Sequence, residues 1–208
     1  MLVESYGSQK GVCMRKLTVR ELVLCGLFIA LITVGTFIRI PIGNDVYTLQ
    51  FLFTLLAGLV LGARLGALAV GAYVLLGLVG VPVFATGGGF GYIAQPTFGY
   101  LLGFILQAGF CGYFSRRLKQ ITFRSLLLVN VGGMAIVYAL GLVWFYIVSN
   151  YVIDAPVSVY WVILYCGVLQ VGPDFLLCVA AAGIARRMEA AGAWLIGPAR
   201  SQAVMGQH

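Results

Sequence analysis

Long apolar runs constrain this chain more than any other feature. The stretch 65–115 contains no charged side chain, and only 9% of the 208 residues are charged whereas 62% are hydrophobic. The mean hydropathy is +1.03. Because a soluble domain carries roughly 25% charged residues, the composition indicates an integral membrane protein. A chain of this length suits one compact helical bundle and leaves no room for a separate soluble domain.

Six apolar runs are predicted to be transmembrane helices, since a helix needs about 20 apolar residues to cross a bilayer. The polar stretch PIGNDVYTLQ is interpreted as a short connection after the first of them. Proline is favoured in the first turn of a helix and disfavoured inside it. We therefore expect the last helix to begin at Pro173, with 157–171 as a helical cap or partly embedded lead-in. The fold class is all-α, with spans at about 21–38, 48–62, 65–80, 96–114, 125–150 and 173–187.

The basic residues predict the orientation of these spans, because Lys and Arg are enriched on the cytoplasmic side of membrane proteins. With the N-terminus inside, 12 of the 13 basic residues lie inside and only Arg39 lies outside. Six spans then place both termini in the cytoplasm of a multi-pass protein of the cytoplasmic membrane. The net charge of +7 therefore reflects topology and does not indicate a nucleic-acid partner.

The domain organisation is predicted to be simple. The first fourteen residues are polar and lack the apolar core of a cleavable signal peptide. The basic sequence MRKLTVRE makes Met14 an alternative start to Met1. We expect residues 1–16 to be a disordered N-terminal extension, 17–190 to be the six-helix membrane domain, and 191–208 to be a cytoplasmic tail.

The sequence argues against an enzyme, a cofactor and a metal site. The only histidine is His208, and the five cysteines form no CxxC pair. A serine-protease mechanism lacks its base, and a single intramembrane acid cannot hold catalytic Mg²⁺. No ATP-binding motif is present, so another protein must supply the energy for any uphill transport.

Asp174 is the acidic residue that the predicted topology places within the membrane. An aspartate there costs roughly 2.5–3.5 kcal/mol on insertion scales and normally faces a cavity or a partner. No intramembrane Lys or Arg is available as that partner, which favours a ligand. The alternative is that Asp174 caps the last helix, where the helix dipole favours an anion.

The second candidate region is the glycine-rich loop between the third and fourth spans, GVPVFATGGGFGYIAQPTFGY. Glycines such as Gly88 and Gly89 let backbone groups approach a small ligand closely. An uncharged loop flanked by Phe84 and Tyr92 suits a lid over a partly apolar solute, although an ordinary exposed turn has a similar composition. Further polar candidates lie near the outer face or in the spans. They are Gln50, Gln95, Thr97, Tyr100, Asn130, Tyr138, Tyr47 and Tyr146. For the tyrosines, the alternative role is to anchor the protein at the membrane interface.

A pair of small residues lies on the first span. Gly26 and Ala30 are four residues apart, so they share one helix face on which another helix could pack closely. The pair serves either internal packing or docking of a partner.

Three stretches of the chain carry a family resemblance. TLQFLFTLLAGLVLGARLGAL at 48–68, LLGLVGVPVFATGGGFGYIAQPTFGYLLGF at 75–104 and GPDFLL at 172–177 resemble the BioY family. The resemblance covers about residues 17–190. It implies the biotin-specific substrate-binding (S) component of energy-coupling factor (ECF) transporters, a six-helix membrane protein with both termini inside. The implied partners are biotin, a transmembrane coupling protein (T component) and its pair of ATPases, although some family members occur without dedicated partners.

The resemblance also implies roles for the candidate residues. The first helix would dock on the coupling protein through Gly26 and Ala30, and the glycine loop would cover the biotin site. Asp174 would accept a ureido N–H, because a charge-assisted hydrogen bond is stronger than a neutral one. Gln50 or Gln95 would serve the remaining ureido groups, and Phe84 and Tyr92 would cover the apolar ring.

One position departs from the family pattern. The family commonly has a lysine three residues after the aspartate, and here that residue is Leu177. The biotin carboxylate would then meet either Arg39 or backbone N–H groups of 87–89. The departure also leaves open an altered affinity or a relative of biotin as the ligand. Two further hypotheses are an S component for another vitamin and a membrane scaffold that transports no solute.

Overall fold

The computed structural model describes residues 17–42, 45–118 and 120–191, with the backbone alone described for 39–47. The predicted extension 1–16 lies outside these residues, as does the predicted tail apart from residue 191. Within them the chain is mainly helical, as expected. The elements, in chain order, are α1 (Val19–Phe37), β1 (Arg39–Ile42), β2 (Asp45–Thr48), α2 (Gln50–Leu61), α3 (Ala63–Leu78), a 3-10 helix (Phe90–Ala94), α4 (Phe98–Arg117), α5 (Phe123–Tyr151), α6 (Val159–Val162), a π-helical turn (Ile163–Val168) and α7 (Leu169–Ala190).

The first five predicted spans match α1 to α5 to within a few residues, but these helices differ in length. Within the described residues, α1, α4, α5 and the continuous helical region Val159–Ala190 are long and apolar enough to cross a membrane. The helices α2 and α3 have 12 and 16 residues, respectively. Both are shorter than the roughly 20 residues that a straight crossing needs.

The last helix does not begin at Pro173, and that prediction is wrong. The helix α7 begins at Leu169, so Pro173 lies one turn inside it. The π-helical turn and α6 precede it without a break, so 157–171 is not a separate cap. Membrane helices tolerate an interior proline because neighbouring groups and local changes of helix geometry satisfy the freed backbone. The wider π-helical turn directly before α7 is such a change of geometry.

The polar connection after α1 is also more regular than the sequence indicated. The strands β1 and β2 pair antiparallel, with residue 39 opposite residue 48. The all-α prediction therefore holds for the membrane part of the chain but not for this hairpin. Alternation of apolar and polar residues over four positions is too short to separate a strand from a loop.

Small residues allow the helices to pack closely around α4. A Cβ added to Gly58 of α2 would lie 2.9 Å from Ala108 Cα of α4, and one added to Gly103 of α4 would lie 2.8 Å from Val137 Cα of α5. Close backbone approach at small residues is typical of membrane helices. The outer surface is apolar, and Val19 and Leu128, for example, are 78% and 74% exposed.

Candidate functional site

A buried carboxylate lies near the first turns of α7. Asp174 is only 8% exposed, and its Oδ2 accepts a hydrogen bond of 2.6 Å from the Tyr138 hydroxyl of α5. The ring of Tyr100 from α4 meets the ring of Tyr138 edge-on, with centroids 6.3 Å apart. Three helices therefore contribute to this group. Asp174 is the sixth residue of α7 and is not its N-cap, so the capping alternative is wrong.

The π-helical turn has a partner on α4. The Tyr100 hydroxyl donates to the carbonyl oxygen of Cys166 at 3.3 Å. A π-helical turn displaces backbone carbonyls from the regular helix pattern and often occurs at functional sites. The hydrogen bond ties α4 to the segment that leads into Asp174, so the position of the carboxylate depends on both helices.

A second polar group, which we term the Tyr73 cluster, joins α1, α2 and α3. It consists of Tyr73, Gln50, Thr36 and the carbonyl group of Val83. Tyr73 is fully buried and donates to the Val83 carbonyl at 2.9 Å. Gln50 Nε2 donates to the Tyr73 oxygen at 3.3 Å, and Thr36 Oγ1 lies 3.1 Å from that oxygen. This cluster holds the beginning of the glycine loop against the helices.

The glycine loop is ordered by its own backbone and by aromatic packing. Phe84 is 1% exposed, and its ring centroid lies 5.6 Å from that of Tyr73 and 4.4 Å from that of Tyr92. The Gly89 N–H donates to the Gly77 carbonyl of α3 at 2.7 Å. Gly89 has a φ of +113°, a conformation that side chains other than glycine rarely adopt. The loop is thus folded against α3 and is not an open turn.

The beginning of α4 connects the loop to the carboxylate group. The Tyr92 hydroxyl lies 3.4 Å from Thr97 Oγ1, and the Tyr100 N–H donates to the Thr97 carbonyl at 3.1 Å. Tyr100 in turn contacts Tyr138, which holds Asp174. Most of the predicted residues therefore belong to two groups that meet near this helix end.

Two of the predicted residues lie apart from these groups. Asn130 is fully buried on α5, two turns from Tyr138, and its Nδ2 donates to the Cys178 carbonyl at 3.0 Å. This bond joins α5 to α7. Gln95 is exposed at the end of the 3-10 helix, where its N–H donates to the Tyr92 carbonyl. The hydrogen bonds of these two residues thus join them to Cys178 and Tyr92, and their predicted contact with a ligand stays a prediction.

The sequence did not single out two buried polar residues that the structure makes prominent. Tyr73 is the centre of the cluster above, and Gln107 is a fully buried amide of α4 whose Oε1 accepts from Thr54 Oγ1 at 3.1 Å. The Nε2 of Gln107 and the Oδ1 of Asn130 have no hydrogen-bond partner among the described residues. The sequence signal that could have identified these two residues is a single polar residue within a long apolar run.

The structure narrows the choice of groups that could neutralise a ligand carboxylate. The N–H groups of Gly87 and Gly89 already donate to the carbonyls of Phe84 and Gly77, which leaves the N–H of Gly88. Leu177 packs against the hydrophobic core. The side chain of Arg39 lies outside the described part of the chain. No three metal-binding side chains come together within the described residues.

These observations define a buried carboxylate, amide and hydroxyl groups and a loop with packed aromatic rings, all in an apolar bundle. Such an arrangement suits recognition of a small neutral or weakly polar solute. The model of the BioY family matches residues 10–193. The chain belongs to the BioY family. This confirms the resemblance drawn from the three sequence stretches.

Similar proteins cover most of the chain. The probable biotin transporter BioY of Lysinibacillus sphaericus is 40% identical over 81% of this chain and 86% of its own length. The biotin transporter BioY of Thermotoga maritima is 45% identical over 65% of this chain and 78% of its own. The crystal structure of the S-component for biotin from an ECF-type ABC transporter is similar with a TM-score of 0.70 and 26% identity, over 84% of this chain and 95% of that one.

Proposed function

We propose that this chain binds biotin and takes it up across the cytoplasmic membrane, as the S component of an ECF transporter or as a solitary BioY protein. The observation that carries the proposal is the 40% and 45% identity to proteins named as biotin transporters. The chain is a transport protein and not an enzyme. Its buried groups bind and orient a solute, and the proposal assigns them no chemical step.

Asp174 is the proposed anchor for the ureido ring of biotin. Its Oδ2 is engaged by Tyr138, so Oδ1 is the oxygen that would accept a ureido N–H. Hydrogen bonds to a charged acceptor are stronger than neutral ones. Ligands without the ureido group would leave this carboxylate unsatisfied, which is an effective way to reject them.

The cover over the apolar part of biotin is proposed to be the glycine loop. The rings of Phe84 and Tyr92 contact each other there at a tilt of 44°, and Gly88 and Gly89 keep the loop backbone close to α3. Tyr100 borders the carboxylate group. The Nε2 of Gln50 donates to the Tyr73 oxygen, so its Oε1 is the atom that would accept a hydrogen bond from the ligand. Asn130 and the exposed Gln95 are proposed to contribute through helix packing and loop shape.

The membrane domain 17–190 is proposed to cross the bilayer six times, with both termini in the cytoplasm. The six segments are α1 to α5 and the region Val159–Ala190. The bias of the basic residues supports this orientation, and the shorter α2 and α3 would cross where flanking residues extend them or the bilayer thins. The test is a C-terminal fusion to a fluorescent protein that becomes fluorescent only in the cytoplasm. A fusion without fluorescence would contradict a cytoplasmic C-terminus.

The proposed partners are an ECF T component, its two ATPases and the lipid bilayer. Gly26 and Ala30 are both exposed on α1, and a Cβ at Gly26 would contact nothing within 4 Å. This open face is consistent with docking of a coupling protein. The alternative is that the chain takes up its solute without these partners. Co-purification of an ATPase pair with the chain would support the first mode, and its absence would favour solitary uptake.

Calorimetric titration of biotin into the purified chain tests the proposed function. We expect the heat of binding to saturate. Mass spectrometry of the small molecules that remain bound after gentle purification is expected to detect biotin. Thiamine and riboflavin serve as competitors, because Leu177 in place of the family's usual lysine keeps another vitamin as the second candidate. No heat with any of the three ligands would contradict the function, and heat with a competitor alone would favour the second candidate.

A further inference from the structure

A cavity lies at the end of the bundle opposite to the glycine loop. Its volume is about 280 Å³, and it lies between the beginning of α1, the turn from α2 to α3 and the end of α4. Pockets that hold a whole small molecule are typically about 300–1,000 Å³, so this one suits a head group better than a nucleotide. The residues that line it include Glu21, Leu61, Gly62, Arg64, Leu65 and Arg116.

Arg116 supplies the first reason to expect an anion there. Its Nε and Nη2 are buried against the backbone at Gly62 and have no hydrogen-bond partner among the described residues. Nη1 is therefore the guanidinium nitrogen that a ligand in the cavity can reach without a shift of the side chain. A buried guanidinium nitrogen without an acceptor costs free energy. A guanidinium is a favoured partner of phosphate, and Nη1 can donate to one phosphate oxygen in the cavity.

The turn at Gly62 fixes this guanidinium in place. Gly62 has a φ of +85°, and a Cβ added to it would lie 2.5 Å from Cζ of Arg116. The absence of a side chain therefore lets the guanidinium pack directly on the backbone between α2 and α3.

The N-terminus of α3 supplies the second reason. This helix has 16 residues and no side-chain cap, and its first residues, Ala63, Arg64 and Leu65, line the cavity. The N–H groups of a first helical turn lack intrahelical acceptors and attract anions. Arg64 adds a second guanidinium, and Glu21 is the acidic residue in the lining. Glu21 Oε2 accepts from the Thr18 N–H at 2.8 Å in the capping box of α1.

The surroundings favour a membrane lipid as the source of the phosphate. Leu17, Leu61 and Leu65 give the cavity apolar walls. On the same turn of α4, the Arg117 guanidinium lies 4.3 Å from the ring centroid of Tyr113, a pairing suited to the membrane interface. Basic pockets between membrane helices on the cytoplasmic side bind the head groups of anionic lipids.

We propose that this cavity binds the phosphate group of an anionic phospholipid, held by Arg116, Arg64 and the N-terminus of α3. The proposal goes beyond biotin uptake and takes from the proposed function only the cytoplasmic leaflet as the source of the lipid. The bound lipid ties together three segments that are distant in sequence, so it also stabilises the bundle.

Native mass spectrometry of the full chain in detergent tests the proposal. The probes are phosphatidylglycerol and phosphatidylcholine with identical acyl chains. We expect the wild type to bind phosphatidylglycerol at least tenfold more tightly, and Arg116→Gln to lose most of this preference. Arg117→Gln is the matched control, because it removes the same charge from the adjacent residue, which packs on Tyr113.

Further arms separate the outcomes. Inorganic phosphate is compared with chloride at equal ionic strength, and we expect it to compete only weakly with phosphatidylglycerol for the protein. If phosphate stabilises the protein and the protein shows no preference for phosphatidylglycerol, the lipid assignment is overturned in favour of a soluble phosphate compound. Equal preference in Arg116→Gln and the wild type overturns the site. If Arg116→Gln fails to fold, the exposed Arg64→Gln replaces it, with an expected loss of threefold or more. None of these readouts depends on biotin.

Discussion

Among single residues, Asp174 is a buried carboxylate, 8% exposed, whose burial must be offset. A carboxylate at membrane depth costs about 2.5–3.5 kcal/mol on insertion scales. Its hydrogen bond from Tyr138 contributes about 1.5–3 kcal/mol, the range for bonds to charged groups. The bond offsets much of the cost but uses only one carboxylate oxygen. Under the proposed function, a ligand donor would meet the remaining acceptor capacity.

We expect Asp174→Asn to weaken biotin binding at least tenfold, or about 1.4 kcal/mol. The amide keeps the size of the side chain but replaces the charged acceptor, so the ureido N–H loses a charge-assisted bond. Calorimetry measures the affinity, and size-exclusion chromatography checks that the variant remains folded. An unchanged affinity in a folded variant would remove Asp174 from the site.

Asp154→Asn is the matched control for this substitution. Asp154 is exposed between α5 and α6 and has a φ of +54°. Asparagine tolerates that backbone conformation well, so the same chemical change there should leave biotin affinity unaltered. A similar loss in both variants would point to a general effect of charge and not to the site.

At the scale of elements, apolar periodicity and local rules predicted most but not all of the fold. The bounds of α1 to α5 followed from run length, whereas Pro173 misled because its local preference for a helix start ignores the π-helical turn that precedes α7. Tyr73 could not be recognised, since its partners Gln50 and Thr36 are 23 and 37 residues away in sequence. The burial of Asp174 with a polar partner was predictable, because a lone acid in a long apolar run is a strong signal.

For the glycine loop, we expect Gly88→Ala to lower biotin affinity at least tenfold. A Cβ there would collide with the Val81 carbonyl and lie 2.9 Å from the Gly77 carbonyl oxygen. Because both obstacles are backbone atoms, the loop must move away from α3. Gly91→Ala is the control, as a Cβ at Gly91 meets nothing within 4 Å. Equilibrium binding of labelled biotin gives both values, and equal affinities would show that the cover is not part of the site.

On the scale of the whole molecule, two polar features lie at opposite ends of an apolar bundle. The Tyr73 cluster and the glycine loop lie where α3 ends, and the cavity with Arg64 and Arg116 lies where α3 begins. The face of α1 between them is exposed and apolar, with Val23 65% and Leu27 53% exposed. Lipid alone could cover this face, so exposure does not by itself identify a docking surface.

Separate measurement of binding and uptake resolves the role of this face. We expect Gly26→Leu and Ala30→Leu to retain biotin affinity within twofold, because both residues lie on the open face of α1 and not among the proposed biotin-binding residues. We expect the same variants to reduce biotin uptake in cells at least tenfold. A larger side chain on a small-residue face keeps a partner helix from approaching. The readouts are calorimetry on the purified variants and accumulation of radiolabelled biotin in cells that express them with the coupling proteins.

Gly71→Leu is the matched control, since Gly71 lies on α3 and its added Cβ would also meet nothing within 4 Å. It should preserve both binding and uptake, because a bulky residue at the lipid surface has no partner to displace. Uptake that survives in both α1 variants would exclude docking through this face and favour solitary transport or another contact surface. Uptake lost equally in Gly71→Leu would mean that any enlargement of the bundle surface impairs transport, and α1 would then have no special role.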